Sequence, residues 1–382
     1  MQITAQELNR ATLARQLLLD RAPIGVEEGA RRVVALQAQQ PASPYIALWN
    51  RLAGFDPASL DAAWAGNRVV KSTLMRLTLH AVHADDYRAF REAMEPTLHG
   101  SRLRDPRFTA SGLTADDAPA LVAELLRYAD RPRTVAESEE HLRRFLGRPL
   151  ESAAQRMLRQ YAPLWHAPTG GPWAFGHRPS HIAATGAPPV PVGPDAAAEG
   201  MKVLVRRYLA GFGPASVADI AQFGLVGRHR ARAAVRELSG ELETLEGPDG
   251  TVLHDLPGLP RPAGDTPAPP RLMAMWDSVL LAYADRSRVV PPAHRTYVTR
   301  VNGDVLPTLL VDGRVAGVWR PTPDGIEATA FHRLPKPVWQ ALSEEAAALT
   351  AFLAPRDPSA YARYAHWWAK GLPGEETRVL GA

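Results

Sequence analysis

The chain repeats one unit, and that repeat constrains the fold more than any other feature. Two or three short helices are followed by two short strands around a glycine turn. Helices and then a hairpin, in that order, are how a winged helix reads in sequence. The middle copy is the cleanest. A helix is predicted over 115–128, and Thr134-Val135-Ala136-Glu137 is a capping box that opens a second, reaching residue 145. The next helix, 150–161, carries Arg156 and Arg159 and sits in the recognition position. Strands at 164–167 and 173–175 then flank Thr169-Gly170-Gly171-Pro172. The following copy has helices at 196–209, 216–223 and 228–238, with a wing around Pro248-Asp249-Gly250. Its third helix holds Arg228, Arg230 and Arg232, in the densest basic cluster of the chain.

The first copy is the least regular. Thr4-Ala5-Gln6-Glu7 is a capping box opening a helix to about residue 19. A second helix runs from residue 26 to Gln37, a third covers 44–52, and Asp56 caps a fourth over 57–65. The segment 69–82 includes Met75 to Val82, which alternates as one strand. Asp85-Asp86 and Asp116-Asp117 read as acids at helix N-termini. Beyond residue 270, short strand-like runs are separated by Asn302-Gly303, Asp312-Gly313 and Asp324-Gly325. The expected fold is therefore α+β. Three tandem winged-helix domains, 1–112, 113–185 and 195–256, precede a small C-terminal antiparallel β-barrel with a helix and tail, 271–382. Proline-rich linkers at 186–194 and 257–270 separate the last parts.

The formal net charge is +4, and only Lys71, Lys202, Lys336 and Lys370 are lysines among 44 basic residues. Arginine favours bidentate phosphate contact, though a GC-rich genome produces the same bias. The chain has no cysteine, which excludes disulfides, Cys-ligated zinc and iron–sulfur clusters and fits a cytoplasmic location. No apolar run approaches the ~20 residues of a membrane span. His177 and His181 are four apart, but Pro179 between them disfavours a helical ligand pair. No metal or cofactor is expected, and a monomer is.

The segment Leu36-Gln37-Ala38-Gln39-Gln40-Pro41-Ala42-Ser43-Pro44-Tyr45 places three carboxamides before two prolines. Proline lacks the amide donor and disfavours helix in the residue before it, so the prolines are expected to end the helix. Glutamines at i and i+2 diverge on a regular helix and converge only where it unwinds. A glutamine holds water or a base edge but takes no proton at neutral pH. Taken alone, Gln37 and Gln39 are ordinary helix residues.

This segment, with Leu48-Trp49, resembles the winged-helix DNA-binding family, in particular its AlkZ branch of DNA glycosylases. Thr73-Leu74-Met75-Arg76-Leu77-Thr78-Leu79-His80, Gly213-Pro214-Ala215-Ser216-Val217-Ala218-Asp219, Ala282-Tyr283-Ala284-Asp285-Arg286-Ser287-Arg288 and Val301-Asn302-Gly303-Asp304-Val305 carry the likeness along the chain. A sister branch has Asp at the position of Gln39. The resemblance implies a monofunctional glycosylase for N7-alkylated purines and interstrand crosslinks, conferring resistance to a DNA-alkylating natural product. It places Gln37 and Gln39 at the catalytic centre of a C-shaped scaffold on double-stranded DNA. Arg156, Arg159, Arg228, Arg230 and Arg232 are the candidate phosphate contacts. Two other readings stand beside this one: a non-catalytic DNA-binding regulator, and a scaffold using winged helices for protein contacts.

Overall fold

The computed structural model describes residues 2–381. Its first helix, Ala5–Arg15, begins at the expected capping box, where Thr4 and Glu7 bond reciprocally. It ends before residue 19 because Leu17 turns into the left-handed region at φ 56°. Helix Val26–Arg32 also ends early. Val33-Val34 is a β-branched pair that is poor for helix, and Val34 adopts φ 71°. The chain then extends, and Leu36–Gln37 is a strand, not the end of a helix. Pro44 belongs to the first turn of the following helix, Ser43–Trp49, so it opens that element and closes none. Asp56 caps helix Pro57–Ala65 as expected.

The single strand anticipated at 75–82 is part of a hairpin. Val69–Thr73 and Leu79–His83 pair antiparallel, and Leu36–Gln37 pairs with the other side of Leu79–His83. Between the two longer strands, Met75–Leu77 forms a tight turn with Arg76 at φ 52° and Leu77 at φ 58°. Alternation continued through the turn, so periodicity alone concealed it. The helix Ala84–Leu103 escaped the sequence reading except for its N-terminal acids Asp85 and Asp86. Pro96 lies inside it and masked its length. It packs along helix Pro194–Phe212. A Cβ on Gly200 would sit 2.5 Å from the Ala89 carbonyl, so this close crossing requires glycine.

The middle segment runs helix Ala118–Tyr128, strand Arg133–Thr134, helices Val135–Leu146 and Ser152–Tyr161, then strands Leu164–Ala167 and Ser180–Ala183. The expected strand at 173–175 is absent. Leu164–Ala167 pairs instead with Ser180–Ala183, which also holds Arg133–Thr134. Trp173 is drawn away to pack on Tyr45, with ring centroids 5.1 Å apart, and its indole N–H donates to Asp357 at 3.0 Å. The next segment matches expectation closely: helices Pro194–Phe212, Val217–Gly224 and Arg228–Glu237, then hairpin Glu243–Glu246/Val252–Asp255.

The C-terminal sheet has five antiparallel strands in the order Glu376–Leu380, Gly325–Ala330, Arg314–Thr322, Thr308–Val311, Arg271–Leu272. Its two edge strands do not meet, so among the described residues there is no closed barrel. Helix Lys336–Leu353 packs on three of these strands and buries Trp339, Leu342, Ala346, Leu349 and Leu353 where a lumen would lie. One continuous hydrophobic core runs through all four segments. Two buried ion pairs cross it, Arg15–Asp255 and Arg51–Asp277.

Candidate active site

Gln37 lies in the extended strand Leu36–Gln37, and Gln39 falls at the bend just beyond it. Gln37 lies opposite His80 in the sheet. One residue on, the Ala38 N–H donates to the Leu79 carbonyl at 2.8 Å, so pairing continues past the strand. Gln37 is buried and Gln39 is exposed.

The surroundings of Gln37 are polar. The Arg76 Nη2 donates to Gln37 Oε1 at 2.9 Å and reaches His80 Nε2 at 3.0 Å. Its Nη1 donates to the Phe223 carbonyl at 3.1 Å. The left-handed turn at Arg76 aims this side chain back across the sheet. His80 Nδ1 faces the Thr78 carbonyl at 3.1 Å, so Nδ1 carries the hydrogen and Nε2 accepts from Arg76. Burial and the Arg76 charge hold His80 neutral, well below its ordinary pKa. Burial and the nearby Arg286 bring Arg76 down to about 10, still a cation at neutral pH.

These contacts settle which way both carboxamides face. An amide –NH2 turned toward Arg76 would set donor against donor, so Gln37 presents its oxygen there. The Leu79 N–H donates to Gln39 Oε1 at 3.2 Å, which orients Gln39 by the same logic. Each oxygen keeps a second lone pair, and each –NH2 is left to donate elsewhere. No carboxylate bonds to either glutamine among the described residues.

Gln39 opens onto a cleft of about 260 Å³. Its far wall comes from helix Ser152–Tyr161 and the adjoining strands, and includes Arg156, Arg159, His166 and His181. The structure thus brings two of the five candidate arginines, Arg156 and Arg159, to the cleft that Gln39 lines. Arg156 is exposed, whereas Arg159 is half-buried and donates to Glu139 at 3.2 Å. Arg228 and Arg232 are exposed on their helix, and among the described residues neither has a carboxylate partner. Arg230 is different. Its guanidinium donates to the Ala93 and Ala197 carbonyls at 2.9 and 3.1 Å, clamping its helix to the two long ones. Sequence reasoning missed Arg76 and His166. Arg76 gave no signal beyond its place in a motif. His181 does pair with a histidine, but with His166 across the strands and not with His177.

Residues 30–352 match the family model for AlkZ-like DNA glycosylases, and the chain belongs to that family. It is accordingly an enzyme of the class that acts on N-glycosyl bonds of DNA. An interstrand DNA cross-link repair glycosylase of Streptomyces sahachiroi is 26% identical over 358 residues, covering 88% of this chain and 92% of the relative. The solved structure of the S. sahachiroi DNA glycosylase AlkZ superposes with a TM-score of 0.74 at 23% identity, covering 92% of this chain and 96% of that one. The mixed α/β architecture is therefore that of the AlkZ structure. Among the described residues no helix is long and apolar enough to cross a membrane.

Proposed function

We propose that this enzyme hydrolyses the N-glycosidic bond of cationic N7-alkylated purines in double-stranded DNA, and so unhooks interstrand crosslinks. The observation that carries the reading is the glutamine pair itself. Two carboxamides two residues apart are each held by a hydrogen-bond donor, with no carboxylate bonded to either among the described residues. Such a site positions groups well and moves protons poorly.

That suits a cationic base. When C1′–N9 breaks, its electron pair returns to the purinium ring, which leaves neutral and needs no protonation. Water adds to C1′ and its proton is lost to solvent. The free lone pair of Gln39 Oε1 can accept from this water and align its oxygen on C1′. Gln37, deeper in the sheet, holds water or sugar from behind. Each tenfold in rate requires only about 1.4 kcal/mol from such positioning.

In this reading residues 113–185 and 195–256 are winged helices, and residues 1–112 form a third, modified one that supplies the glutamines. Ser152–Tyr161 and Arg228–Glu237 are their DNA-facing helices. The protein acts as a cytoplasmic monomer without cofactor. A base tied to the opposite strand resists full extrusion, and the exposed Gln39 suits chemistry at an open surface.

An oligonucleotide carrying one N7-methylguanine tests the reading, with alkaline cleavage reporting any abasic site. An uncut strand, with tight binding to one duplex sequence, would return the regulator reading. Arg76→Ala frees the Gln37 oxygen and should slow single-turnover release by roughly 10- to 100-fold at unchanged DNA affinity. A rate within twofold of wild type would remove Arg76 from the mechanism. Arg228→Gln and Arg232→Gln should each flatten the salt dependence of binding by about one unit of slope. Arg230→Gln should instead lower the unfolding midpoint, because it strands two carbonyls.

A further inference from the structure

The cleft beside Gln39 has a composition the glutamine chemistry does not use. Its lining contains two arginines, two histidines and the hydroxyl residues Ser72, Thr73 and Thr78, but no aspartate or glutamate. Arg156 has no carboxylate partner among the described residues. Glu139 engages only Nη1 of Arg159, leaving its other donors. His181 is buried, and its Nδ1 has no hydrogen-bond partner among the described residues. Buried polar atoms without partners are rare in folded chains and call for an explanation. The rings of His166 and His181 stand 4.5 Å apart, edge to face.

The field in this cleft is positive. Burial holds both imidazoles neutral, His181 down to about 4, and the charges of Arg159 and Lys71 push each the same way. The Arg102 guanidinium lies close enough to Arg156 to feel its charge, and donates to the Leu77 carbonyl at the rim. Such a site would repel a purinium base. It also lacks a broad aromatic face on which a base could stack. An anion meets the opposite conditions: guanidinium forks and the His181 Nδ1, with no carboxylate among the lining residues; the Ser72 and Thr78 hydroxyls already donate to the Leu164 and Met75 carbonyls.

We propose that the cleft is a phosphate site, which binds a DNA phosphodiester flanking the nucleotide whose base is removed. The inference rests on the glycosylase reading for its choice of DNA as the source of the phosphate. Arg156 and Arg159 grip the non-bridging oxygens, and His181, edge to face with His166, lines the same pocket. Gln39 lines the same cleft, so the phosphate and the reacting sugar are neighbours. Bound there, the phosphodiester sets the register of the damaged nucleotide against the glutamines. It also places a negative charge beside the sugar as positive charge develops on it.

The test pairs chemical substitution in DNA with substitution in the protein. A duplex containing an abasic-site analogue is made with one uncharged methylphosphonate linkage, scanned along both strands. In wild type, neutralising one linkage beside the analogue should weaken binding about tenfold, the scale of a lost charge-assisted hydrogen bond. In Arg156→Gln, and again in Arg159→Gln, that same linkage should cost less than about twofold, while the others cost what they do in wild type. Arg156 is exposed and has no ion-pair partner among the described residues, so its variant should fold. Equal costs at every linkage in wild type and both variants would overturn the proposal. So would variants that weaken excision of N7-methylguanine without any linkage-specific coupling, since the cleft would then serve the base. Because the readout is binding to a product-like duplex, it remains interpretable even if no base is released, an outcome that would count against the glycosylase reading alone.

Discussion

Gln39→Ala is expected to slow single-turnover release of N7-methylguanine on the order of a hundredfold and to leave DNA affinity within about twofold. The rate loss is that of removing one preorganised hydrogen-bonding group from a reacting centre. Affinity is spared because Gln39 carries no charge and the flanking arginines are untouched. Gln39→Glu keeps an acceptor for the Leu79 N–H at nearly the same size, so it should retain more activity than alanine. Wild type should leave uracil in place, because a neutral base departs as an anion unless protonated, and neither glutamine can protonate it. His80 adds no acid, since burial and Arg76 keep it neutral far below pH 7. The measurement is single-turnover release of each base by the three proteins. Full activity in Gln39→Ala, or efficient uracil release, would sink the mechanism.

The parts of this fold legible in sequence were those with local causes. Capping boxes at Thr4 and Thr134 and the Asp56 cap mark real helix starts. The glycine turn at Pro248–Gly250 marks a real hairpin. What failed depended on distant partners. The glutamine segment reads as a helix end, yet Leu79–His83, more than 40 residues later, recruits it as a strand. Trp173 alternates well enough for a strand, but its best packing partners are Tyr45 and Phe352. The barrel failed for a similar reason: the run expected as a strand before Asn302-Gly303 folds as helix Arg295–Val298, the tail supplies the edge strand Glu376–Leu380, and helix Lys336–Leu353 packs across the sheet. At the site, composition and motif singled out Gln37 and Gln39. They could not supply Arg76, because its role depends on a left-handed turn that folds it back over the sheet.

Asp277→Ala is expected to cost about 3–5 kcal/mol of stability, the scale for breaking a buried ion pair by deleting one partner. Arg51 and Asp277 are 0% and 1% exposed and meet through two parallel bonds of 2.8 Å. Arg51 also donates to the Ala47 carbonyl at 2.9 Å, and its Nε has no partner, so alanine leaves a buried cation without its counter-charge. The consequence reaches the glutamines by a short path. Asp277 accepts from the Val279 N–H, and the adjacent Ser278 hydroxyl donates to the Ala35 carbonyl at 2.6 Å, two residues before Gln37. The pair thereby ties both ends of the glutamine segment: Arg51 lies just beyond the helix that follows it, and Ser278, next to Asp277, holds Ala35 just before the strand that begins it. Urea denaturation should show the loss in midpoint. The double variant Arg51→Met/Asp277→Leu should recover part of it, because apolar replacement removes the unpaired charge. If the pair acts as an anchor, the recovered double variant should remain slower at base release than wild type under conditions where both are folded. A single variant that loses less than about 1 kcal/mol would show that the charge is relieved some other way, and that the segment is held without it.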